Sequence, residues 1–162
     1  TIHRLSDFSP AFQIAADAGY PCTVHAGEIC GPESVWDAIN HLPVSRIGHG
    51  VRCTEDDELM LTLAQRNIAL EICPSSNLAL SIYPDWSAHP FKQILAAGIS
   101  VSLNSDDPPF FSTSVGQEYH NSAKYFNLDI EQLRDISRMA IQSSFADIHT
   151  KKRLLAQIDQ DV

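Results

Sequence analysis

The sequence lacks the features that mark membrane-spanning, secreted and nucleic-acid-binding proteins. No apolar run approaches the ~20 residues that a transmembrane helix needs, and the first residues show no signal-peptide pattern. Basic residues are scarce, since 11 Lys and Arg stand against 20 Asp and Glu and leave a net charge of -9 at pH 7. Nucleic acids and acidic membrane surfaces are bound by basic patches. We therefore expect no nucleic acid and no membrane among the partners.

Cysteines are few, and they do not form the spacing of a disulfide framework or a zinc cluster. The four cysteines, Cys22, Cys30, Cys53 and Cys73, include no CxxC pair, and three of them lie in or beside apolar segments. This pattern favours reduced, buried thiols and a cytoplasmic protein. An initiator Met is missing as well, so we expect the chain to be a piece of a longer protein.

The 162 residues form four strand–helix units followed only by helices. Strand ends recur at His25, His49, Cys73 and Asn104, and such spacing is typical of parallel βα units with right-handed crossovers. An α/β fold with one core is therefore predicted. The predicted strands are 22–25, 44–50, 68–73 and 99–103, and the predicted helices are 9–18, 32–42, 54–64, 90–97, 114–125, 129–141 and 145–158, with a loop at 74–77 and a long connection over 78–89.

The stretch Val101–Pro109 carries a strand pattern that ends in two adjacent carboxylates. Asp106 and Asp107 follow the alternating residues, and two prolines then stop the strand. Two neighbouring negative charges repel, and a chain tolerates them most readily beside a cation. Adjacent strand residues point to opposite faces, so we expect the two carboxylates to have different roles. A solvated acidic turn is the alternative interpretation.

Polar side chains also follow two other predicted strands. His25 could ligate zinc or be a hydrogen-bonded core histidine. Glu28 could act as a general acid or base, or simply place a charge ahead of the next helix. His49 lies between Gly48 and Gly50, which give it room to approach a ligand, although a turn residue would show the same pattern.

These residues gather at one end of one predicted sheet, where parallel α/β folds build their sites. A hydrolytic zinc site needs ligands that leave one position open to water, and a carboxylate that shuttles the proton. The predicted set supplies both. Cys73-Pro74 does not match the P-C-x-x-C of cytidine-type deaminases, so no cysteine is predicted as a ligand.

Four motifs resemble those of the adenosine deaminase family, in the family's order and spacing. They are His25–Glu28 (HAGE), Arg46–Gly50 (RIGHG), Glu71–Asn77 (EICPSSN) and Ser105–Pro108 (SDDP). The resemblance implies a (β/α)8 TIM-type barrel in which the four strands are the fifth to eighth. Residues 1–162 would then be the C-terminal half of a deaminase barrel, with trailing helices.

The resemblance also implies a role for each candidate residue. His25 and Asp106 resemble two protein ligands of a catalytic zinc, with one Zn²⁺ per complete active site. Glu28 looks like the proton donor to N1 of the purine, and His49 like the residue that orients the attacking hydroxide. Asp107 resembles the hydrogen-bond partner of purine N7. The implied reaction is the hydrolytic deamination of adenosine to inosine and ammonia.

The sequence departs from the family pattern because it contains no His-x-His pair, and the glycine that contacts the purine before the fifth strand of the family is also absent. The family's first two zinc ligands are such a pair, on the first strand. A complete barrel typically needs ~250 residues, and half a barrel leaves two open sheet edges. We therefore expect a partner in the N-terminal half of the barrel, either present as a second chain or lost by cleavage.

Several alternatives remain open at this stage. Adenine deaminase is the nearest, although Gly48 and the run Glu71–Asn77 favour a nucleoside as the substrate, and a modified adenine nucleoside is a further possibility. A catalytically inactive, structural half is favoured for the isolated chain by the missing ligand pair. A phosphate-binding barrel is disfavoured because no glycine-rich phosphate loop follows the last strand.

Overall fold

The four predicted strands are present and form one parallel sheet in the computed structural model, which describes residues 4–160. They are β1 (Cys22–Ala26), β2 (Val44–His49), β3 (Ala69–Ile72) and β4 (Val101–Leu103). The sheet order is β1-β2-β3-β4, and each neighbouring pair is parallel. This consecutive order differs from the reversal found in doubly wound sheets and agrees with a βα barrel. Within the described residues, β1 and β4 are edge strands.

The helices alternate with the strands and then follow them. They are α1 (Ser9–Asp17), α2 (Pro32–His41), α3 (Asp57–Gln65), α4 (Pro74–Ala79), α5 (Phe91–Ala96), α6 (Pro108–Phe111), α7 (Val115–Tyr125), α8 (Ile130–Ser143) and α9 (Ile148–Gln160). Two short 3-10 helices cover Leu5–Phe8 and Val51–Glu55. In the part of the chain that the structure describes, none of the helices has the length and apolar character needed to cross a membrane.

The helix starts after β2 and after β3 differ from the sequence prediction, the last helix begins at Ile148 instead of residue 145, and the short helix α6 was not predicted. The helix after β2 is capped by Asp56, whose side chain accepts the backbone N–H of Leu59, whereas Thr54 belongs to the preceding 3-10 turn and donates to the Val51 carbonyl. The predicted loop at 74–77 is helix α4. Pro74 stands in its first turn, where the missing N–H removes no helical hydrogen bond.

The two faces of the sheet have opposite character. One face is apolar and packs against the helices, with Ile47, Leu70, Ile72 and Val101 all completely buried. The other face carries polar side chains that are exposed or half-buried, namely Thr23, His25, Arg46, Glu71 and Ser102. Parallel sheets are ordinarily covered on both faces. A polar face left open within the described residues is what half of a closed barrel would present.

Aromatic rings hold the connection between α4 and α5 against the end of α7. Trp86 stacks on Tyr125 with ring centroids 4.8 Å apart, and Phe91 stacks on Phe126 at 4.9 Å. His89 lies between Tyr83 and Phe126, at centroid distances of 5.1 Å and 5.5 Å. We call these six residues the aromatic cluster; it fixes the backbone of a segment that has little regular structure.

The thiols are free, as the sequence predicted. Cys22, Cys53 and Cys73 are buried and Cys30 is exposed. Burial raises the pKa of the Cys53 thiol to about 12, so this thiol stays protonated and unreactive at neutral pH.

Candidate active site

A sharp turn after β1 brings Glu28 back over the C-terminal rim of the sheet, the edge at which the strands' carboxyl ends lie. Gly27 makes this turn with a φ of +65°, and a Cβ atom there would lie 2.5 Å from Cγ2 of Val35. Its N–H donates to the Ser34 hydroxyl at 2.8 Å. Only glycine combines this backbone conformation with so close an approach, so Gly27 determines where Glu28 is placed.

His49 ends β2 with a left-handed backbone, at a φ of +62°. Non-glycine residues adopt this conformation at an energetic cost, and such residues cluster at functional sites. The turn directs a ring that is only 2% exposed between two carboxylates. Nδ1 lies 3.3 Å from Oε1 of Glu28, and Nε2 lies 3.9 Å from Oδ2 of Asp106.

His25 lies on the open polar face of the sheet, with its ring centroid 4.9 Å from that of His49. Gly48 is its partner on β2, and a Cβ at Gly48 would come within 3.1 Å of His25 Nδ1. The missing side chain at Gly48 therefore leaves room for the imidazole. His25 is exposed in the described part of the chain, so it does not belong to the apolar core, and its role as a ligand stays a prediction.

Asp106 and Asp107 lie just past β4, in different environments. Asp106 has a left-handed backbone, at a φ of +54°, and its Oδ2 accepts the Ser76 hydroxyl at 2.7 Å. Asp107 is exposed and precedes helix α6. The structure thus brings Asp106 to Glu28 and His49, whereas the side chain of Asp107 faces solvent, and its role toward purine N7 stays a prediction.

Helix α4 links three carboxylates through three successive residues. Glu118, which is completely buried, accepts the Ser75 N–H and also the Thr113 hydroxyl. The Ser75 N–H and the side chains of Ser76 and Asn77 are therefore bonded to carboxylates of the chain itself. The three bonds are Ser75 N–H to Glu118 Oε2 at 3.1 Å, Ser76 Oγ to Asp106 Oδ2 at 2.7 Å and Asn77 Nδ2 to Glu28 Oε1 at 3.2 Å.

Burial and neighbouring charges change the proton affinities of the two central groups. Burial raises the pKa of Glu28, and the nearby carboxylate of Asp106 raises it further, against smaller opposing effects of His25 and Asn77. Burial lowers the pKa of His49, and His25 adds to this effect, although Asp106 and Glu71 partly offset it. A carboxyl group with a raised pKa and a neutral imidazole are the partners that acid–base catalysis near pH 7 requires.

Three side chains at the rim lie close enough to share one metal ion, and one of them, Cys73, was not a candidate from the sequence. His49, Cys73 and Asp106 present ligand atoms that all lie within 4.8 Å of one another. Imidazole, thiolate and carboxylate are the usual ligands of zinc. Burial, with the charges of Asp106 and Glu28, raises the pKa of Cys73 and keeps its thiol neutral. Zinc binds a deprotonated thiolate, so Cys73, which directly follows β3 at this rim, is a neutral neighbour of the site, and Asp106 with the imidazoles forms the candidate ligand set.

A cavity of about 620 Å³ opens beside the site. It is lined by His25, Glu28, Ile29, Ser34 and Asp37, among others. Its volume lies within the ~300–1,000 Å³ typical of small-molecule pockets. A planar ligand the size of a purine could therefore reach Glu28 from this side.

Comparison with known proteins identifies the family. The family model described as adenosine deaminase matches residues 1–161, so the chain belongs to the adenosine deaminase family. Among curated relatives, an adenine deaminase of Agrobacterium fabrum is 48% identical over 155 residues, which cover 96% of this chain and 48% of the relative. One from Rhizobium leguminosarum bv. trifolii is 46% identical, with the same coverage. The chain thus spans about half the length of the curated relatives it matches.

The solved structures that superimpose on this chain agree with this family assignment. An adenine deaminase from Arthrobacter aurescens superimposes with a TM-score of 0.93 at 32% identity, over 97% of this chain and 48% of the other. An amidohydrolase from Burkholderia ambifaria with bound Zn gives 0.89 at 25% identity, over 98% and 44% of the two chains. The N6-methyl-AMP deaminase of Arabidopsis thaliana gives 0.86 at 30%, over 98% and 46%. The family resemblance predicted from the motifs is confirmed.

Proposed function

We propose that this chain is the C-terminal half of a zinc-dependent deaminase barrel that removes the amino group of adenine by hydrolysis. The observation that carries this proposal is the convergence of Glu28, His49 and Asp106 at one rim of a parallel sheet. The adenine deaminase relatives, up to 48% identical, favour the free base over a nucleoside. Sequence motifs had favoured adenosine, but Ser76 and Asn77, on which that preference rested in part, bind carboxylates of the chain itself.

The proposal gives residues 1–162 a partner in the N-terminal half of the same barrel. That half would close the sheet against the edge strands β1 and β4 and cover the polar face. It would also supply the His-x-His pair that this sequence lacks. On its own, the chain is expected to be catalytically inactive, because two ligands hold zinc poorly.

Within the complete site, His25 and Asp106 would hold Zn²⁺, the metal that the amidohydrolase neighbour carries. The chemistry that zinc would supply there is a lower pKa of a bound water molecule, about 7, and hence a nucleophile at neutral pH. The Ser76 hydroxyl bonds the Asp106 carboxylate and keeps one of its oxygens oriented, as supporting residues of metal sites do.

The remaining steps belong to the chain's own side chains. Glu28, whose pKa burial raises above the ordinary glutamate value, is the acid that donates a proton to the ring nitrogen N1 of adenine. The neutral His49 imidazole accepts a hydrogen bond from the attacking water and orients it toward C6, and Asp107 contacts N7. As the C6–O bond forms, His49 takes one proton from the water and passes it to the amino group, and the C6–N bond breaks to release ammonia. The second proton of the water returns to Glu28 as the C6 carbonyl forms, so hypoxanthine is the product.

The test is a comparison of substrates on the complete barrel, loaded with zinc. We expect release of ammonia from adenine with a kcat/KM at least 100-fold above that for adenosine, and loss of about 10²- to 10⁴-fold in kcat for Glu28→Gln, the typical contribution of a general acid. Glu58→Gln, at an exposed position on α3, is the control. A preference for adenosine would overturn the substrate, and an active Glu28→Gln variant would overturn the role of Glu28.

A further inference from the structure

A buried histidine lies behind the site, and the proposed chemistry does not use it. His89 is 5% exposed and belongs to the aromatic cluster rather than to a strand end. Its ring contacts the backbone on one side, where the N–H of Phe91 donates to Nδ1 at 3.2 Å. On the other side Nε2 lies 3.2 Å from Oδ1 of Asn77. Both ring nitrogens therefore have a partner.

These two partners determine the protonation of the ring. Because Nδ1 accepts a hydrogen bond from a backbone N–H, it carries no proton, and the neutral ring must hold its proton on Nε2. Burial lowers the pKa of His89 to about 4, so the ring is neutral at pH 7. Nε2–H then donates to Oδ1 of Asn77.

The bond from His89 in turn determines the orientation of the Asn77 amide. Asn77 is completely buried, and with Oδ1 turned toward His89 its Nδ2 faces Glu28, where it donates to Oε1 at 3.2 Å. A flipped amide would oppose its NH₂ group to the Nε2–H of His89. That hydrogen bond would be lost between two buried side chains, which is costly.

We infer that His89 and Asn77 are positioning residues, which make Oε1 of Glu28 the accepting oxygen and so assign the catalytic proton to Oε2. The inference rests on the proposed role of Glu28 as the proton donor. A carboxylic acid carries its proton on one oxygen only. Oε1 accepts from the N–H of Asn77, and when Nε2 of His49 accepts from the attacking water, the Nδ1–H of His49 also faces Oε1, at 3.3 Å. We call the chain of hydrogen bonds that runs from the Phe91 N–H through His89 and Asn77 to Glu28 the relay. Because Phe91, His89 and Asn77 are buried and the members are bonded to one another, the relay presents a single protonated oxygen to the substrate in a fixed position.

Three variants of the complete zinc-loaded barrel separate this role from a structural one. His89→Phe keeps an aromatic ring in the aromatic cluster but removes the donor, whereas His89→Gln restores an N–H at about the position of Nε2. Tyr83→Phe is the matched control, since Tyr83 packs on the same ring and its hydroxyl donates to the Val51 carbonyl, at 3.3 Å.

We expect His89→Phe to lower kcat for adenine about tenfold with KM changed less than twofold, because binding contacts remain while the proton is misplaced. His89→Gln should recover most of kcat, and Tyr83→Phe should leave it unchanged. Equal losses in the Phe and Gln variants, or no loss in either, would overturn the inference.

A second readout does not depend on activity. In the complete barrel with ¹⁵N-labelled asparagine, the Asn77 side-chain amide signals should shift in His89→Phe and in Glu28→Gln, and should stay in place in Tyr83→Phe. Unchanged Asn77 signals in His89→Phe would contradict the relay. If the parent protein fails to deaminate adenine, the proposed function is wrong, and these signals still decide whether His89 orients Asn77.

Discussion

The Ser76 hydroxyl donates to the Asp106 carboxylate across 2.7 Å, and this bond joins helix α4 to the loop that follows β4. Ser76 is 1% exposed, so water does not compete for the bond. The carboxylate also lies 3.9 Å from His49. Helix α4 thus acts as the support of the candidate metal ligand.

Replacing Ser76 should weaken zinc binding without unfolding the protein. Ser76→Ala removes the bond that orients Asp106, and loss of such a supporting bond typically lowers metal affinity about 10- to 100-fold. The measurement is zinc affinity of the complete barrel by competition with a chelator. Ser75→Ala is the control, because Ser75 bonds Glu118 through its backbone N–H. An unchanged affinity in Ser76→Ala would show that Asp106 needs no such support.

Replacing Gly27 with alanine should destabilise the fold more than the same replacement at Gly19, which also has a positive φ. Gly19→Ala forces a left-handed backbone, at a φ of +82° with no atom within 4 Å of the new Cβ, and should cost about 1–2 kcal/mol. Gly27→Ala adds a collision with Val35 at 2.5 Å, which should cost about 1–3 kcal/mol more. Urea unfolding of both variants measures the difference. Equal losses would mean that the turn after β1 can move away from α2.

Glu28 should make the metal-free protein less stable as pH rises. Its pKa is raised in the folded state by burial and by Asp106, so its favourable contribution is complete below the ordinary glutamate value of 4.5 and is lost as pH rises through the folded pKa. Glu28→Gln cannot ionise and should be more stable than the parent at pH 7.5, with no gain at pH 4. Urea unfolding with a chelator present measures this. The same gain in the exposed Glu58→Gln variant would contradict the role of burial.

His89 should have the opposite pH dependence. Its pKa is lowered by burial from 6.5 to about 4, so its contribution to stability is complete above pH 6.5 and is lost as pH falls through 4. His89→Gln does not titrate, and its stability relative to the parent should improve on acidification, by at most roughly 3 kcal/mol. Denaturant unfolding at pH 7 and pH 4.5 measures this, and His41→Gln, at an exposed site, is the control. A constant difference between the two pH values would contradict a neutral, buried ring.

The sequence was informative where local pattern controls structure. Alternating and continuous apolar runs predicted all four strands, and the residues placed at their ends, Glu28, His49 and Asp106, do meet at one rim. The geometry of parallel strands explains this success, because their carboxyl ends necessarily lie at the same edge of the sheet.

Sequence patterns could not predict the hydrogen bonds that support Asp106 and Glu28, because these bonds join distant parts of the chain. Ser76 and Asp106 are 30 residues apart, and Asn77 and Glu28 are 49 apart. The sequence of helix α4, with a proline followed by two serines and an asparagine, has turn composition. Its helical state depends on bonds such as the one from Ser75 to Glu118, which only the folded chain reveals.

The choice between adenine and adenosine was similarly beyond the motifs. Two of the residues that favoured a nucleoside bond carboxylates of the chain itself: Ser76 bonds Asp106, and Asn77 bonds Glu28. Glu71 contacts Thr23 at 2.8 Å and Arg46 at 3.3 Å on the open face of the sheet. A sequence motif alone does not distinguish a polar residue that contacts the substrate from one that contacts another part of the protein.

The central claim is that this chain supplies half of a zinc-dependent adenine deaminase site. The most direct test measures zinc content and ammonia release from adenine for residues 1–162, with and without an N-terminal half that carries the His-x-His pair. We predict one zinc ion per assembled barrel, together with adenine turnover, and neither zinc nor turnover for the chain alone. Absence of both from the assembled barrel, or full turnover by the isolated chain, would contradict the claim.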